Sequence, residues 1–216
     1  MTGMTGARPL PASGQTRARL KSGAGRAGAA VVKIGGSLVS DGARLRTILS
    51  ECADSAPVAI VPGGGPFADA VRTTQAQLGF DDRLAHRLAL DAMGRMAEVF
   101  AAIEPRLPIA ASPEAVAETL AQGRSVIWDP VALKGGHPDI AESWEITSDS
   151  LALWLATRLG ATRCILVKSA KLLSGTDPEI LARDGLVDAA FPRFAACYPG
   201  TILIRGPEAL HEGHAA

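Results

Sequence analysis

The chain has 216 residues, 47% of them apolar and 20% charged, and its 22 basic and 22 acidic side chains cancel to zero formal charge. That length suits one domain with a full core, and the balance is that of a globular protein in water. No apolar run is long enough to span a membrane, and a neutral chain has no global attraction for nucleic acid or an anionic bilayer.

Residues 1–29 are rich in Gly, Ala, Ser and Thr and carry Arg8, Arg17, Arg19, Lys21 and Arg26 without any acid. They lack the continuous apolar stretch of a signal peptide. This segment reads as a disordered basic leader, or as sequence upstream of the true translation start. Residues 30–216 read as a single domain. A Gly-x-Gly-x-x-Gly match at Gly23–Gly28 precedes the first strand instead of following one, so it carries no dinucleotide argument. Cys52, Cys164 and Cys197 lie far apart and form no zinc or redox pattern, which fits a reduced cytoplasm.

From Ala29 onward, apolar runs alternate with helical patterns. Ala29–Ile34 predicts a buried strand, Arg44–Asp54 a helix, Pro57–Val61 a strand and Pro66–Leu78 a helix. Asp81–Ile103 predicts a long helix with Gly94 inside it at a small propensity cost. Leu107–Ala111 predicts a short strand, followed by a helix start at Ser112-Pro113-Glu114. Ser125–Trp128 predicts a strand, residues 130–143 mostly loop, Thr147–Gly160 a helix, and Arg163–Lys168 and Thr201–Arg205 the last two strands. Such alternation argues a mainly parallel sheet covered on both faces. Ligands of such sheets bind beyond the carboxyl ends of the strands.

The chemistry-bearing residues stand at those ends. Lys33 and the Gly35-Gly36-Ser37 turn follow the first strand. Gly63-Gly64-Gly65 follows the second and opens a helix, where backbone amides and the helix dipole bind anions. Either turn alone is also explained by a tight strand-to-helix connection. Thr147-Ser148-Asp149-Ser150 opens another helix. Thr147 or Ser148 can cap it, while an acid at Asp149 can hold a lysine head group in place. Lys168 ends a wholly apolar strand, with Lys171 just beyond; either can instead snorkel to solvent. Two cations, two glycine turns and one acid match what phosphoryl transfer asks of a protein: positive charge and amide donors around the moving group. No Gly-x-x-x-x-Gly-Lys-Ser/Thr stretch and no protein-kinase signature is present.

The ordered series Lys33-Ile-Gly-Gly-Ser37, Gly63-Gly-Gly-Pro66, Thr147-Ser-Asp149 and Val167-Lys168 resembles the amino acid kinase superfamily over about residues 30–210. Within it, Gly63–Arg72, Ala85–Met93 and Ser143–Ala156 look like the kinases of methanofuran biosynthesis, which convert [5-(aminomethyl)furan-3-yl]methyl phosphate to its diphosphate. The resemblance implies an open three-layer α/β/α sandwich, ATP with Mg2+ as cosubstrate and metal, and a homo-oligomer, while the cysteine usage above points to a cytoplasmic location. It implies that Lys33, Asp149 and Lys168 are catalytic. Gly35, Gly36, Ser37, Lys168 and Lys171 would bind the nucleotide phosphates. Gly63, Gly64, Gly65, Asp69, Arg72, Thr147 and Ser148 would bind the acceptor. Asp69 and Arg72, three apart on one helix face, are candidates for the acceptor's ammonium and phosphate, or else a plain surface ion pair. One departure is Arg205, where the superfamily pattern has Asn before glycine. His86 lies on the long helix as a structural or pocket residue. Residues 134–137 read as a loop that either closes over substrate or is plain linker. His211 and His214 lack further ligands, so no protein-held metal is expected. Isopentenyl phosphate, a nucleotide or an amino acid are alternative acceptors, and a molybdate-storage relative is the alternative outside enzymes.

Overall fold

The computed structural model describes residues 29–169 and 177–206. The expectations placed on residues 1–28, Lys171, His211 and His214 lie outside the described residues.

Strand β1 (Ala30–Ile34) is buried throughout. Helix α1 (Gly42–Asp54) follows, its first turn capped by the Asp41 carboxylate, which accepts from the Arg44 amide. Strand β2 (Val58–Pro62) leads into α2 (Gly65–Leu78) and α3 (Asp82–Ile103). After them come β3 (Ile109–Ala110), α4 (Pro113–Ala121), β4 (Val126–Trp128), α5 (Ser148–Leu159) and β5 (Arg163–Val167). Two short helices, α6 (Pro178–Arg183) and α7 (Phe191–Cys197), precede β6 (Thr201–Arg205).

The strands form one sheet in the order β3-β4-β2-β1-β5-β6, and every pair is parallel. β1 lies at the centre, with Lys33 opposite Val61 of β2 and Leu166 of β5. Alternation along a strand sends Val31 and Lys33 to one face and Val32 and Ile34 to the other. The first face packs on Leu151 and Leu155 of α5 and Phe191 and Phe194 of α7. The second packs on Leu45, Ile48 and Leu49 of α1 and on Phe100 of α3. Helices on both faces of a parallel sheet are the sandwich expected from the sequence. Among the described residues, no helix is long and apolar enough to cross a membrane.

The structure departs from the sequence pattern in three places. Residues 130–143 are not all loop, since Pro130–Gly135 forms a 3-10 turn whose Val131 amide donates to the Asp129 carboxylate at 3.0 Å. The helices α6 and α7 were not anticipated. With 6 and 7 residues they are too short to show a 3.6-residue repeat, and each opens on a proline pattern that also suits a turn. Gly94 is more than a tolerated propensity defect. A Cβ there would stand 2.9 Å from the Asp129 carboxylate, so the absent side chain lets β4's end pack against α3.

Candidate active site

The strand order brings the carboxyl ends of β2, β1 and β5 side by side, and with them the two glycine turns and both lysines. Gly63 donates its amide to Ile34 and Gly35 donates to Val167, at 2.8 and 3.0 Å. The turns then press together backbone to backbone. A Cβ on Gly36 would lie 2.3 Å from the Gly65 nitrogen, and one on Gly63 would lie 2.6 Å from the Gly36 nitrogen. Gly65 also has a left-handed φ of 54°, a conformation costly for other residues. Close approach thus explains the glycines without a ligand. It also sorts their donors. Gly35 is spent on Val167, contrary to the expectation that it offers a free amide. Among the described residues, no backbone carbonyl takes the amides of Gly36, Gly64 or Gly65.

Lys33 and Asp149 are 4% and 5% exposed, which for two charged groups demands partners. The Lys33 ammonium sits 2.9 Å from one Asp149 oxygen. Lys168 donates to both oxygens of the same carboxylate, at 2.8 and 2.7 Å. Burial alone would raise the Asp149 pKa, but the two ammonium groups outweigh it and hold the carboxyl below its usual range. Lys168 is pushed down to about 8 by burial and by the neighbouring Lys33 charge, with Asp149 opposing both. Two cations thus share one anion, which leaves an excess positive charge in a place poor in water.

The N-terminus of α5 is built by a residue the sequence reading passed over. Thr147 occupies the cap position, but neither it nor Ser148 caps with its side chain. The carboxylate of Asp188, in the loop before α7, does so instead. It accepts from the Thr147 amide and hydroxyl at 2.8 Å each, from the Ser150 amide at 3.0 Å, and from the Ser150 hydroxyl. Burial, helped by the neighbouring Asp149 charge, raises the Asp188 pKa above the ordinary carboxylate value even though these donors pull it down. The one available signal was a lone acid in the apolar run Leu186–Phe191.

Beside the lysines lies a cavity of about 220 Å³. Gly36, Ser37, Gly63, Gly64 and Gly65 form one wall, Asp69 and Arg72 of α2 another, and Thr147 and Ser148 a third. All seven residues assigned to the acceptor therefore face one space. Lys33 lies behind the first turn and not on the cavity lining, its Nζ 3.9 Å from where a Cβ on Gly35 would be. Arg72 and Asp69 do pair, at 3.2 Å, though both are well exposed. Such a pair contributes little to stability. The guanidinium carbon also lies 4.2 Å from the ring centroid of Trp144, a cation–π arrangement. Trp144 is itself pinned, donating to the Gln75 side chain at 2.6 Å, while Gln75 donates to Phe80 and Asp82. Trp144 lines the cavity too, three residues ahead of Thr147 in the chain. His86 reaches the same cavity, and its ring Nδ1 meets the Ser143 carbonyl at 3.0 Å. Burial lowers its pKa, so the ring favours the neutral form.

Beyond the first glycine turn, the Ser37 and Ser169 hydroxyls meet at 2.7 Å. Arg44 reaches the carbonyls of Lys168 and Gly206, at 3.2 and 3.0 Å, and so ties the ends of β5 and β6 to α1. The Lys134 loop does not reach the cavity. Its ammonium is held 2.7 Å from both Asp91 oxygens on α3. Among the described residues, no group of three His, Cys, Asp or Glu side chains could hold a metal ion.

Residues 29–183 match the family model described as the amino acid kinase family. The chain is 34% identical over 139 residues to the [5-(aminomethyl)furan-3-yl]methyl phosphate kinase of Methanocaldococcus jannaschii, an alignment covering 63% of this chain and 63% of that protein. Among solved structures it is similar to the uridylate kinase of Archaeoglobus fulgidus, with a TM-score of 0.61 at 18% identity over 81% of this chain and 89% of that one. A UMP kinase structure from Ureaplasma parvum matches with a TM-score of 0.64 at 16% identity, over 84% of this chain and 91% of that one. At these identities the two structures speak for the fold alone.

Proposed function

The chain belongs to the amino acid kinase family, and from that premise we propose that it transfers the γ-phosphoryl group of ATP to a small monophosphate carrying a protonated amine. The acceptor we assign is [5-(aminomethyl)furan-3-yl]methyl phosphate, the compound in the name of the M. jannaschii relative. The observation that carries this reading is the pair of lysines on Asp149, next to a cavity that presents a cation and an acid at its far wall. An acceptor phosphate oxygen attacks the γ-phosphorus, the bond to the β–γ bridging oxygen breaks, and ADP leaves with that electron pair. The acceptor oxygen is already anionic, so no general base is required. Lys33 and Lys168 stabilise the charge spread over the moving phosphoryl group, and the amides of Gly36, Gly64 and Gly65 add donors. Asp149 holds both ammonium groups in register.

The ends of β5 and β6 form the nucleotide side, and Ser37, which lines the acceptor cavity and also meets Ser169, stands between the two substrates. Magnesium, held by the nucleotide's own phosphates, would neutralise part of their charge. Bringing a phosphate beside ATP also calls for a further cation. Arg72, flattened on Trp144, supplies it, and Asp69 takes the acceptor's ammonium. We place the enzyme in the cytoplasm as a homo-oligomer, in keeping with the family.

An acceptor panel tests the assignment. Purified protein with ATP and magnesium should consume ATP with the furan phosphate and leave N-acetylglutamate, aspartate, uridylate and isopentenyl phosphate untouched. Turnover of one of those, with none of the furan phosphate, would overturn the acceptor while sparing the kinase.

A further inference from the structure

Asp188 lies beyond residues 29–183, the span of the family match, yet it touches the same helix turn as Asp149. Resting on the phosphoryl-transfer reading above, we infer that Asp188 is a positioning residue for that reaction. Its carboxylate fixes the first turn of α5, so that Asp149 stands between the two lysines, and its charge helps keep the Lys168 ammonium in place.

The geometry carries this. A helix N-terminus leaves its first amides unpaired, and short side chains within the same turn usually meet them. Here the chain reaches across 41 residues to bring in a full charge for Thr147 and across 38 for Ser150. Four donors converge on that one carboxylate, two amides and two hydroxyls. Thr147 and Ser150 thereby bracket Asp149 on both sides. The turn cannot rotate or fray without breaking those bonds, and any such movement would carry the Asp149 carboxylate away from Lys33 and Lys168. Loop and helix are stitched from the other direction as well, since the Ala190 amide donates to the Glu145 carbonyl at 2.9 Å.

Charge adds a second effect. Among the described residues, the charged groups acting on the Lys168 ammonium are Lys33 from β1, Asp149 from α5 and Asp188 from the loop before α7. Arg44 from α1 meets the Lys168 carbonyl instead. Burial and Lys33 push the ammonium toward losing its proton, while Asp149 and then Asp188 oppose that loss.

The test uses Asp188→Asn, which keeps size and one carbonyl acceptor but removes the charge. We expect kcat to fall on the order of 10–100-fold, the scale seen when a group that orients a metal ligand is lost, with little change in either KM. The alkaline limb of the pH–rate profile should move to lower pH. Lysine Cε NMR, with the Lys168 resonance assigned by Lys168→Arg, should show its titration moving the same way, and this readout needs no turnover. Ser150→Ala separates the two effects, and it also serves if Asp188→Asn fails to fold. It loosens the turn but keeps the carboxylate, so kcat should fall while the limb stays where it is. A plain helix cap would lower the melting temperature and move neither limb nor titration. Near-normal kcat in folded Asp188→Asn, an unmoved Lys168 titration, or unchanged kcat in Ser150→Ala would each overturn the inference. If the wild type transfers no phosphoryl group and the Lys168 titration still follows Asp188, the kinase reading fails and the positioning of the ammonium stands.

Discussion

Lys33 is buried on a central strand with one carboxylate for company. Removing a single electrostatic stabiliser of a transition state costs about 10²–10³ in rate, so Lys33→Ala should lose activity on that scale. Its fold should persist, because alanine suits the buried strand and Asp149 keeps Lys168. A folded variant with near-normal kcat would remove Lys33 from the reaction. Asp149→Asn should lower kcat by orders of magnitude and also lower the melting temperature, because it leaves two buried ammonium groups without their shared anion. Loss of the helix cap plays no part in this, since Asn serves a helix N-terminus about as well as Asp and Asp188 carries the cap. Lys168 adds a pH signature. Its pKa of about 8 lies below the ordinary lysine value of 10.5. Activity should therefore decline as pH rises through about 8 and the ammonium is lost. Stability should move the other way. Between those two values the unfolded chain binds more protons than the folded one, so this group's contribution to unfolding free energy grows with pH. Parallel pH series of kcat and of denaturation midpoint check both signs, and a midpoint contribution that falls across the interval would contradict the assignment.

At the scale of elements, the sequence showed the strands and their glycine turns because burial on both faces leaves an unbroken apolar run, and a lysine or glycine interrupts it visibly. Lys33, Gly63–Gly65 and Lys168 were legible for that reason. Trp144 and Asp188 were not. Their importance depends on partners such as Arg72 on α2 and Ser150 on α5, and no local period encodes such a pairing. Gly94 was legible as an oddity, but its cause lies in Asp129, on an element 35 residues later. The contact between the two glycine turns makes a prediction of its own. Gly36→Ala would place a methyl 2.3 Å from the Gly65 nitrogen, against backbone that cannot swing aside. The turns must part, so the variant should lose activity and also stability, the latter by roughly 1–3 kcal/mol as for overpacked cores. A denaturant melt and an initial-rate assay check this together, and a fully active, fully stable variant would mean that the turns are not pressed together as described.

Across the whole molecule, the parallel order β2-β1-β5 gathers residues from positions 33, 149 and 168 at one end of the sheet. α2, α3 and the start of α5 wall off the cavity beside them. The architecture sets a cationic centre beside a cavity with its own cation, a layout that the proposed transfer between two phosphates would use. Arg72→Met should accordingly raise the acceptor KM and leave that for ATP nearly unchanged, the sign of a binding contact on one substrate only. The most direct test follows the product itself. With ATP, magnesium and the furan monophosphate, 31P NMR should show a new pair of coupled diphosphate resonances growing as ADP appears, and Lys33→Ala should abolish them. ADP accompanied only by free phosphate, or a phosphoryl group placed on the acceptor other than at its phosphate, would contradict the account.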